Sequence, residues 1–217
     1  MNQKVSVIIP AFNEELNIAN IIKLSKNCEY VDEVLVINNL STDNTKSRAK
    51  EQGAKVVDCN IKGKGYAMQT GIENAQNDII AFLDADIPDY PSDVVLRLVS
   101  PIIAKDVDFV KASFDREGGR ITELVAKPLL KLLFPDMQKY SQPLSGMIAG
   151  KKKIFEKIEL EKDYGVDIGI LLDISQSNAT IQESYIGKIK NISKDWKSLD
   201  KMSTDVMRAI LKRADKL

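Results

Sequence analysis

The sequence predicts an α/β protein with a mostly parallel, Rossmann-like sheet flanked by helices, and three observations lead to this fold class. Short runs rich in valine and isoleucine alternate with amphipathic segments through the first half of the chain, as they do in βαβ units. Polar residues follow several of these runs, at the strand ends where parallel sheets bind their ligands. The hydrophobic content of 44% is ordinary for a globular protein.

The first half of the chain predicts strands and helices in alternation. β-Branched residues favour the strands, which are expected at residues 5–9, 33–37, 54–57 and 78–83. Apolar residues repeat every three or four positions in the helical segments, which are expected at residues 14–26, 42–52 and 65–75.

The second half of the chain starts after Pro88 and Pro91, which interrupt regular structure. Strands are expected at residues 108–113 and 180–189, with a return to the sheet within residues 142–150. Helices are expected at residues 92–104, 121–134, 164–174 and 199–217. We expect the last helix to pack on its own domain through one apolar face, with a homodimer or membrane contact as the alternative.

Composition excludes several classes of function. Lys+Arg and Asp+Glu are equal at 31 each, which argues against a basic surface for nucleic acid. Histidine is absent, so imidazole catalysis and histidine metal ligands are excluded in this chain. Cys28 and Cys59 are too few for a disulfide scaffold. With no leader pattern and no run of 18 apolar residues, we expect no transmembrane segment and a cytoplasmic protein.

The most informative motif is Asp84-Ala85-Asp86, at the end of a predicted apolar strand. Residues two apart on a strand point to the same side, so both carboxylates can face one ligand. Mg²⁺ is commonly held by one or two carboxylates together with substrate phosphates. The alternative is that these acids only end the strand and shape the turn that follows.

The loop after the first strand, residues 10–15, contains no glycine. It cannot form the glycine-rich bend with which dinucleotide-binding proteins approach a pyrophosphate. Glu14 could accept a hydrogen bond from a sugar hydroxyl, or could simply complement the dipole of the first helix. Asn39 in the next loop fits a ligand contact or an ordinary turn equally well.

A second candidate site lies at Gly118-Gly119-Arg120-Ile121-Thr122, immediately before a predicted helix. Unpaired backbone N–H groups and the positive end of the helix dipole favour an anion at such a place. Arg120 adds a planar fork of donors for a phosphate or carboxylate, and Thr122 adds a hydroxyl. The alternative is a glycine loop with Thr122 as a cap residue.

Residues 5–15, 40–45, 63–65 and 84–86 resemble, in this order, the family 2-type glycosyltransferases of GT-A fold. The resemblance implies a nucleotide diphosphate sugar as donor, UDP- or GDP-glucose, and Mg²⁺ or Mn²⁺ as cofactor. It makes Asp86 the main metal ligand and lets Lys64 neutralise the diphosphate. The implied donor-binding residues are Pro10, Ala11, Glu14, Asn39, Lys64, Asp84, Ala85 and Asp86.

Residues 119–130, 142–146 and 164–173 resemble the glucosyl-3-phosphoglycerate synthases. This resemblance implies 3-phosphoglycerate as the acceptor and adds Asp167 to Asp86 and Lys64 as catalytic residues. We expect Asp167 to orient a sugar hydroxyl rather than act as a base, while its alternative role is that of an exposed helix acid. The implied acceptor-binding residues are Gly119, Arg120, Thr122, Tyr164 and Asp167.

One departure from the family concerns the metal. Family members usually carry a metal-binding histidine after the late strand, and Asn191 stands at or near that place. The implied metal ligands are therefore Asp86, with Asp84 and Asn191 as further candidates. Asparagine offers an oxygen that Mg²⁺ accepts, but the imidazole ligand is lost.

The resemblance implies one GT-A domain over residues 1–217, with a nucleotide-sugar-binding half at 1–90 and an acceptor-binding half with a C-terminal helix at 91–217. The predicted reaction is metal-dependent transfer of a hexose, glucose being expected, to 3-phosphoglycerate with retention of configuration. A different acceptor, such as a lipid phosphate or glycan, and a noncatalytic nucleotide-sugar-binding protein are the alternatives.

Overall fold

The computed structural model of the chain describes residues 3–116, 118–190 and 195–217. The strands within these residues form a seven-stranded sheet in the order β3-β2-β1-β4-β6-β5-β7, in which only β6 runs antiparallel to its neighbours. The predicted mostly parallel α/β fold is thus confirmed. The strands are β1 Val5–Ala11, β2 Val31–Asn38, β3 Lys55–Asp58, β4 Ile79–Phe82, β5 Phe109–Asp115, β6 Ile148–Lys151 and β7 Ile181–Lys188.

Helices pack on both faces of this sheet, and all but a four-residue helix at 152–155 lie close to the predicted positions. They are α1 Ile18–Lys26, α2 Thr45–Glu51, α3 Lys64–Asn74, α4 Val94–Lys105, α5 Lys127–Leu133, α6 Lys152–Phe155, α7 Val166–Ser175 and α8 Trp196–Arg213. The first helix begins four residues later than predicted, because residues 14–17 form a turn in which Glu14 O accepts from Asn17 N and Ile18 N.

Two predictions in the second half need correction. The helix expected at 121–134 is π-helical over Thr122–Ala126 before it becomes α5, and Pro128 has no N–H to continue an α-helical pattern across this boundary. The strand expected within 142–150 is limited to Ile148–Lys151. The residues before it turn instead, and Ser145 N donates to Gln142 O. This turn brings its backbone to the functional cleft.

The core lies on both sides of the sheet because successive strand residues point to opposite faces. Ile9 of β1 packs with α1 and α4 on one face, whereas its neighbour Ile8 packs with α3 and α7 on the other. Helix α8 joins the second face through the buried residues Val206 and Ile210. The last helix therefore packs on its own domain as predicted. Within the described ranges, no helix combines the length and apolarity needed to span a bilayer.

Candidate active site

A cleft of about 660 Å³ opens where β1, β2 and β4 end. Every predicted site residue that the structure describes lines this cleft, from the Pro10 loop at one end to Asp167 at the other. The remaining candidate, Asn191, lies outside the described residues. The topology brings the predicted donor and acceptor segments together because the α7 and α8 helices cover the sheet face beside α3.

Lys64 joins the two sides of the cleft. It is the first residue of α3, and its Nζ lies 2.8 Å from Asp84 Oδ1 and 2.7 Å from Asp167 Oδ2. Asp84 follows β4 on the predicted donor side, whereas Asp167 lies in the first turn of α7 on the predicted acceptor side. One ammonium group therefore bridges carboxylates that come from the two halves of the chain.

The charge states of Lys64, Asp84 and Asp167 depend on burial and on the charges of one another. Asp167 is only 3% exposed, and its burial raises the pKa of its carboxyl although Lys64 opposes the shift. Burial also disfavours the ammonium of Lys64, but the carboxylates of Asp167 and Asp84 outweigh it and hold the pKa of Lys64 above its ordinary value. Lys64 is therefore a permanent cation in the cleft. Asp167 Oδ1 is buried and has no hydrogen-bond partner among the described residues.

Gly146 allows the turn before β6 to approach this trio closely. A Cβ atom at Gly146 would lie 2.3 Å from Asp84 Oδ1 and 2.4 Å from Lys64 Nζ, so a larger residue would displace the ion pair. Within residues 142–146, a segment of the family resemblance, Leu144 and Ser145 line the cleft.

Asp84 and Asp86 together provide hard oxygen donors at the end of β4. Asp86 is exposed to the cleft, and the chain at Asp84 is held by a hydrogen bond of 2.9 Å from the buried Tyr90 hydroxyl to the Asp84 carbonyl. No group of three or more acidic or cysteine ligands converges within the part of the chain that the structure describes. Proteins nevertheless often bind Mg²⁺ through only one or two carboxylate ligands, and substrate phosphates complete the coordination. Asp84 and Asp86 therefore fit Mg²⁺ or Mn²⁺.

The loops after β1 and β2 support one another through side-chain hydrogen bonds. Asn39 lies in the cleft wall, and its amide Nδ2 donates to Ile61 O at 2.6 Å while its Oδ1 accepts from Gly63 N at 2.9 Å. Glu14 N donates at 2.7 Å to Oγ1 of Thr45, the first residue of α2 after the second loop. Asn39 thus holds the turn that presents Lys64, a structural task that the sequence did not reveal.

The predicted acceptor end of the cleft is built around two glycines. Gly118 and Gly119 have φ values of 95° and 86°, a conformation that side chains rarely adopt, and they turn the chain directly into the helical segment that follows. Thr122 is buried in the first helical turn and lines the cleft. Arg120 lies over the ring of Trp196 at 5.1 Å from its centroid, so the start of α8 positions its guanidinium.

Sequence reasoning missed a second guanidinium at this end. Arg116, which precedes the two glycines in the chain, lines the cleft and donates a hydrogen bond to Thr122 Oγ1. Because the Thr122 oxygen accepts this bond, its hydroxyl hydrogen can point to another acceptor. Lys201 of α8 also lines the cleft and was not predicted. The only local signal was the cluster of basic residues around the glycines, which did not distinguish Arg116 from a solvated side chain.

The fold and this site define a glycosyltransferase of GT-A type, and comparison with known proteins agrees. The family model described as glycosyl transferase family 2 matches residues 6–162. A glucosyl-3-phosphoglycerate synthase from Petrotoga mobilis is 34% identical to this chain, over 98% of this chain and 74% of that protein.

Solved structures give the same result. A glucosyl-3-phosphoglycerate synthase from Mycobacterium tuberculosis, in complex with Mg²⁺ and UDP, superposes with a TM-score of 0.93 and 32% identity, covering 98% of this chain and 80% of that chain. A complex of that enzyme with Mn²⁺, UDP-glucose and phosphoglyceric acid gives the same TM-score, identity and coverage. The chain belongs to glycosyl transferase family 2 and, within it, to the glucosyl-3-phosphoglycerate synthase family.

Proposed function

We propose that this protein transfers glucose from a nucleotide diphosphate sugar, UDP-glucose in the first instance, to 3-phosphoglycerate with retention of configuration. The bond from the anomeric carbon to the diphosphate oxygen breaks, and a bond to the acceptor oxygen forms. 3-Phosphoglycerate has a single free alcohol, at carbon 2, so the product is glucosyl-3-phosphoglycerate. The released proton goes to the departing diphosphate on the same face of the sugar.

The observation that carries this proposal is the position of Lys64 between Asp84 and Asp167. The reaction needs a cation where charge develops on the leaving diphosphate, beside a carboxylate that can hold a sugar hydroxyl. Lys64 supplies the first group and the carboxylate of Asp167 the second, and both residues line one cleft. Further support comes from the relative whose crystal structure holds both UDP-glucose and phosphoglyceric acid.

In this proposal the metal ion binds at the end of β4, where two carboxylates lie close together. Asp86, with Asp84, would hold Mg²⁺ or Mn²⁺, as the chemistry of two adjacent carboxylates allows. When bound, the ion would neutralise charge on the diphosphate. The protein's own contribution is Lys64, which adds a second positive charge beside Asp84 at 2.8 Å.

The acceptor is held by the glycine turn and its cations. Arg120 and Arg116 would pair with the phosphate and carboxylate of 3-phosphoglycerate, while the Thr122 hydroxyl donates to one of these anions. Fixing both acidic groups places the single alcohol near the anomeric carbon and replaces a random encounter with a positioned reaction.

A donor-by-acceptor matrix tests the proposal. Purified protein with Mg²⁺ is incubated with UDP-glucose, GDP-glucose or UDP-mannose, each with 3-phosphoglycerate, glycerate or a polyprenyl phosphate. We expect release of nucleoside diphosphate with glucose donors and 3-phosphoglycerate, and an α-linked product by NMR if the donor is the α-anomer. Turnover only with another acceptor, or donor binding without turnover across the matrix, would contradict the proposal. A β-linked product would contradict retention alone.

A further inference from the structure

Lys111 is a buried lysine to which the proposed reaction assigns no role. It lies in β5, an interior strand of the sheet, and its side chain is 0% exposed. Burying an ammonium group costs free energy that an apolar side chain of the same length would not cost. A lysine at this position therefore calls for a role other than stability.

The ammonium of Lys111 binds two segments of the active site at once. Its Nζ donates to Ser145 O at 2.7 Å and to Asp167 O at 3.3 Å. Ser145 precedes Gly146, whose backbone is packed against Asp84 and Lys64. Asp167 is the residue whose carboxylate contacts Lys64 at 2.7 Å. Both segments that Lys111 holds therefore meet again at Lys64.

The electrostatic environment agrees with this geometry. Burial lowers the pKa of Lys111 to about 8, against the opposing effect of the Asp167 carboxylate. Lys111 in turn favours the ionised form of Asp167, whose pKa burial raises. Lys64 and Lys111 thus provide two positive charges for the two carboxylates of Asp84 and Asp167.

We propose that Lys111 is a positioning residue for glycosyl transfer, which ties the Ser145–Gly146 turn to the start of α7 and thereby holds Lys64 and Asp167 in their reactive arrangement. The inference rests on the proposed function, because its main measurement is the turnover of that reaction. Lys111 itself does not contact the reacting groups in this role; it acts through the backbone of Ser145 and Asp167.

The test is Lys111→Met, which keeps the length of the side chain and removes the charge. Lys151→Met is the matched control, because Lys151 is a lysine of the adjacent strand β6 that pairs with Asp108 and does not line the cleft. Rates with UDP-glucose and 3-phosphoglycerate are normalised to folded enzyme by the stoichiometry of UDP binding, and the midpoint of thermal unfolding is recorded for each variant.

We expect kcat of Lys111→Met to fall at least about 10-fold, KM for both substrates to stay within about 3-fold, and the unfolding midpoint to stay equal or rise. The control should keep the wild-type kcat. A kcat of Lys111→Met within about 3-fold of wild type, or a loss explained by fewer UDP-binding molecules, would overturn the proposal.

Two further arms keep the result interpretable. If Lys111→Met does not fold, Lys111→Leu, which likewise removes the charge and the N–H donors, is measured with the same expectation, and a wild-type kcat in that variant contradicts the role. An inactive wild-type enzyme contradicts the proposed function, whereas equal turnover by wild type and variant contradicts only the inference about Lys111.

Discussion

The ammonium of Lys64 lies 2.7 Å from the carboxylate of Asp167, a residue 103 positions away in the chain. Lys64 starts a helix in the half of the chain predicted to bind the donor, whereas Asp167 starts a helix in the half predicted to bind the acceptor. The pair thus joins the two predicted substrate regions, and it provides the first test of the site.

Replacing Lys64 by methionine should lower kcat by about 100- to 1000-fold, because the cation next to the leaving diphosphate is lost. Steady-state release of UDP measures this effect. Lys46→Met removes a lysine from an exposed ion pair with Asp58 and should leave kcat unchanged. A Lys64→Met enzyme with more than a tenth of the wild-type kcat would argue against the proposed charge stabilisation.

Replacing Asp86 by alanine should lower kcat/KM for UDP-glucose by about 100-fold or more, because a carboxylate ligand of the proposed metal is lost. Calorimetric titration of UDP with and without Mn²⁺ should show that the variant loses the metal-dependent part of the affinity. Asp89→Asn, in the same loop but outside the cleft lining, is the control and should retain it. Equal metal dependence in Asp86→Ala and wild type would remove Asp86 from the ligand set.

Replacing Arg116 by methionine should raise KM for 3-phosphoglycerate about 10-fold or more, because the variant loses a charged donor and no longer directs the Thr122 hydroxyl. KM for UDP-glucose should change little, since Arg116 lies at the proposed acceptor end. Initial rates over both substrate concentrations separate the two constants. The control is Arg97→Met, which removes an arginine of α4 that is paired with Asp93. A change confined to the donor KM would contradict the assignment.

Asp108 provides a stability prediction away from the cleft. Its carboxylate accepts from Lys151 Nζ at 2.8 Å and from Thr180 N at 3.0 Å, and these bonds lower its pKa to about 2. The folded state therefore binds fewer protons than the unfolded state, so this contribution is present above pH 4 and is lost as the pH falls towards 2.

We expect Asp108→Asn to lower the free energy of unfolding by roughly 1–2 kcal/mol at pH 7 and by less at pH 3. Urea unfolding at both pH values measures the difference. The control is Asp106→Asn, since Asp106 also pairs with Lys151 but its side chain is 89% exposed, and it should cost less than about 0.5 kcal/mol. A loss that is independent of pH would show that the ionised form of Asp108 does not supply the stability.

The order of strands and helices could be predicted because it depends on patterns that are local in the chain. The alternation of valine-rich and amphipathic segments predicted β1 to β4, and Asp84-Ala85-Asp86 predicted two carboxylates at a strand end. The prediction failed at residues 142–147, because a short apolar stretch with Pro143 does not indicate whether it pairs in the sheet or turns.

By itself the sequence determined the fold class, the family resemblance, and most of the residues that line the cleft. Only the tertiary structure decided that Lys64 meets Asp167, that Arg116 supports Thr122, and that Lys111 is buried beneath them. The physical reason is the distance along the chain over which each effect acts. Periodicity and turn chemistry act over a few residues, whereas the partner and the pKa of a charged group depend on burial and on distances of a few ångströms between distant segments, which packing alone sets.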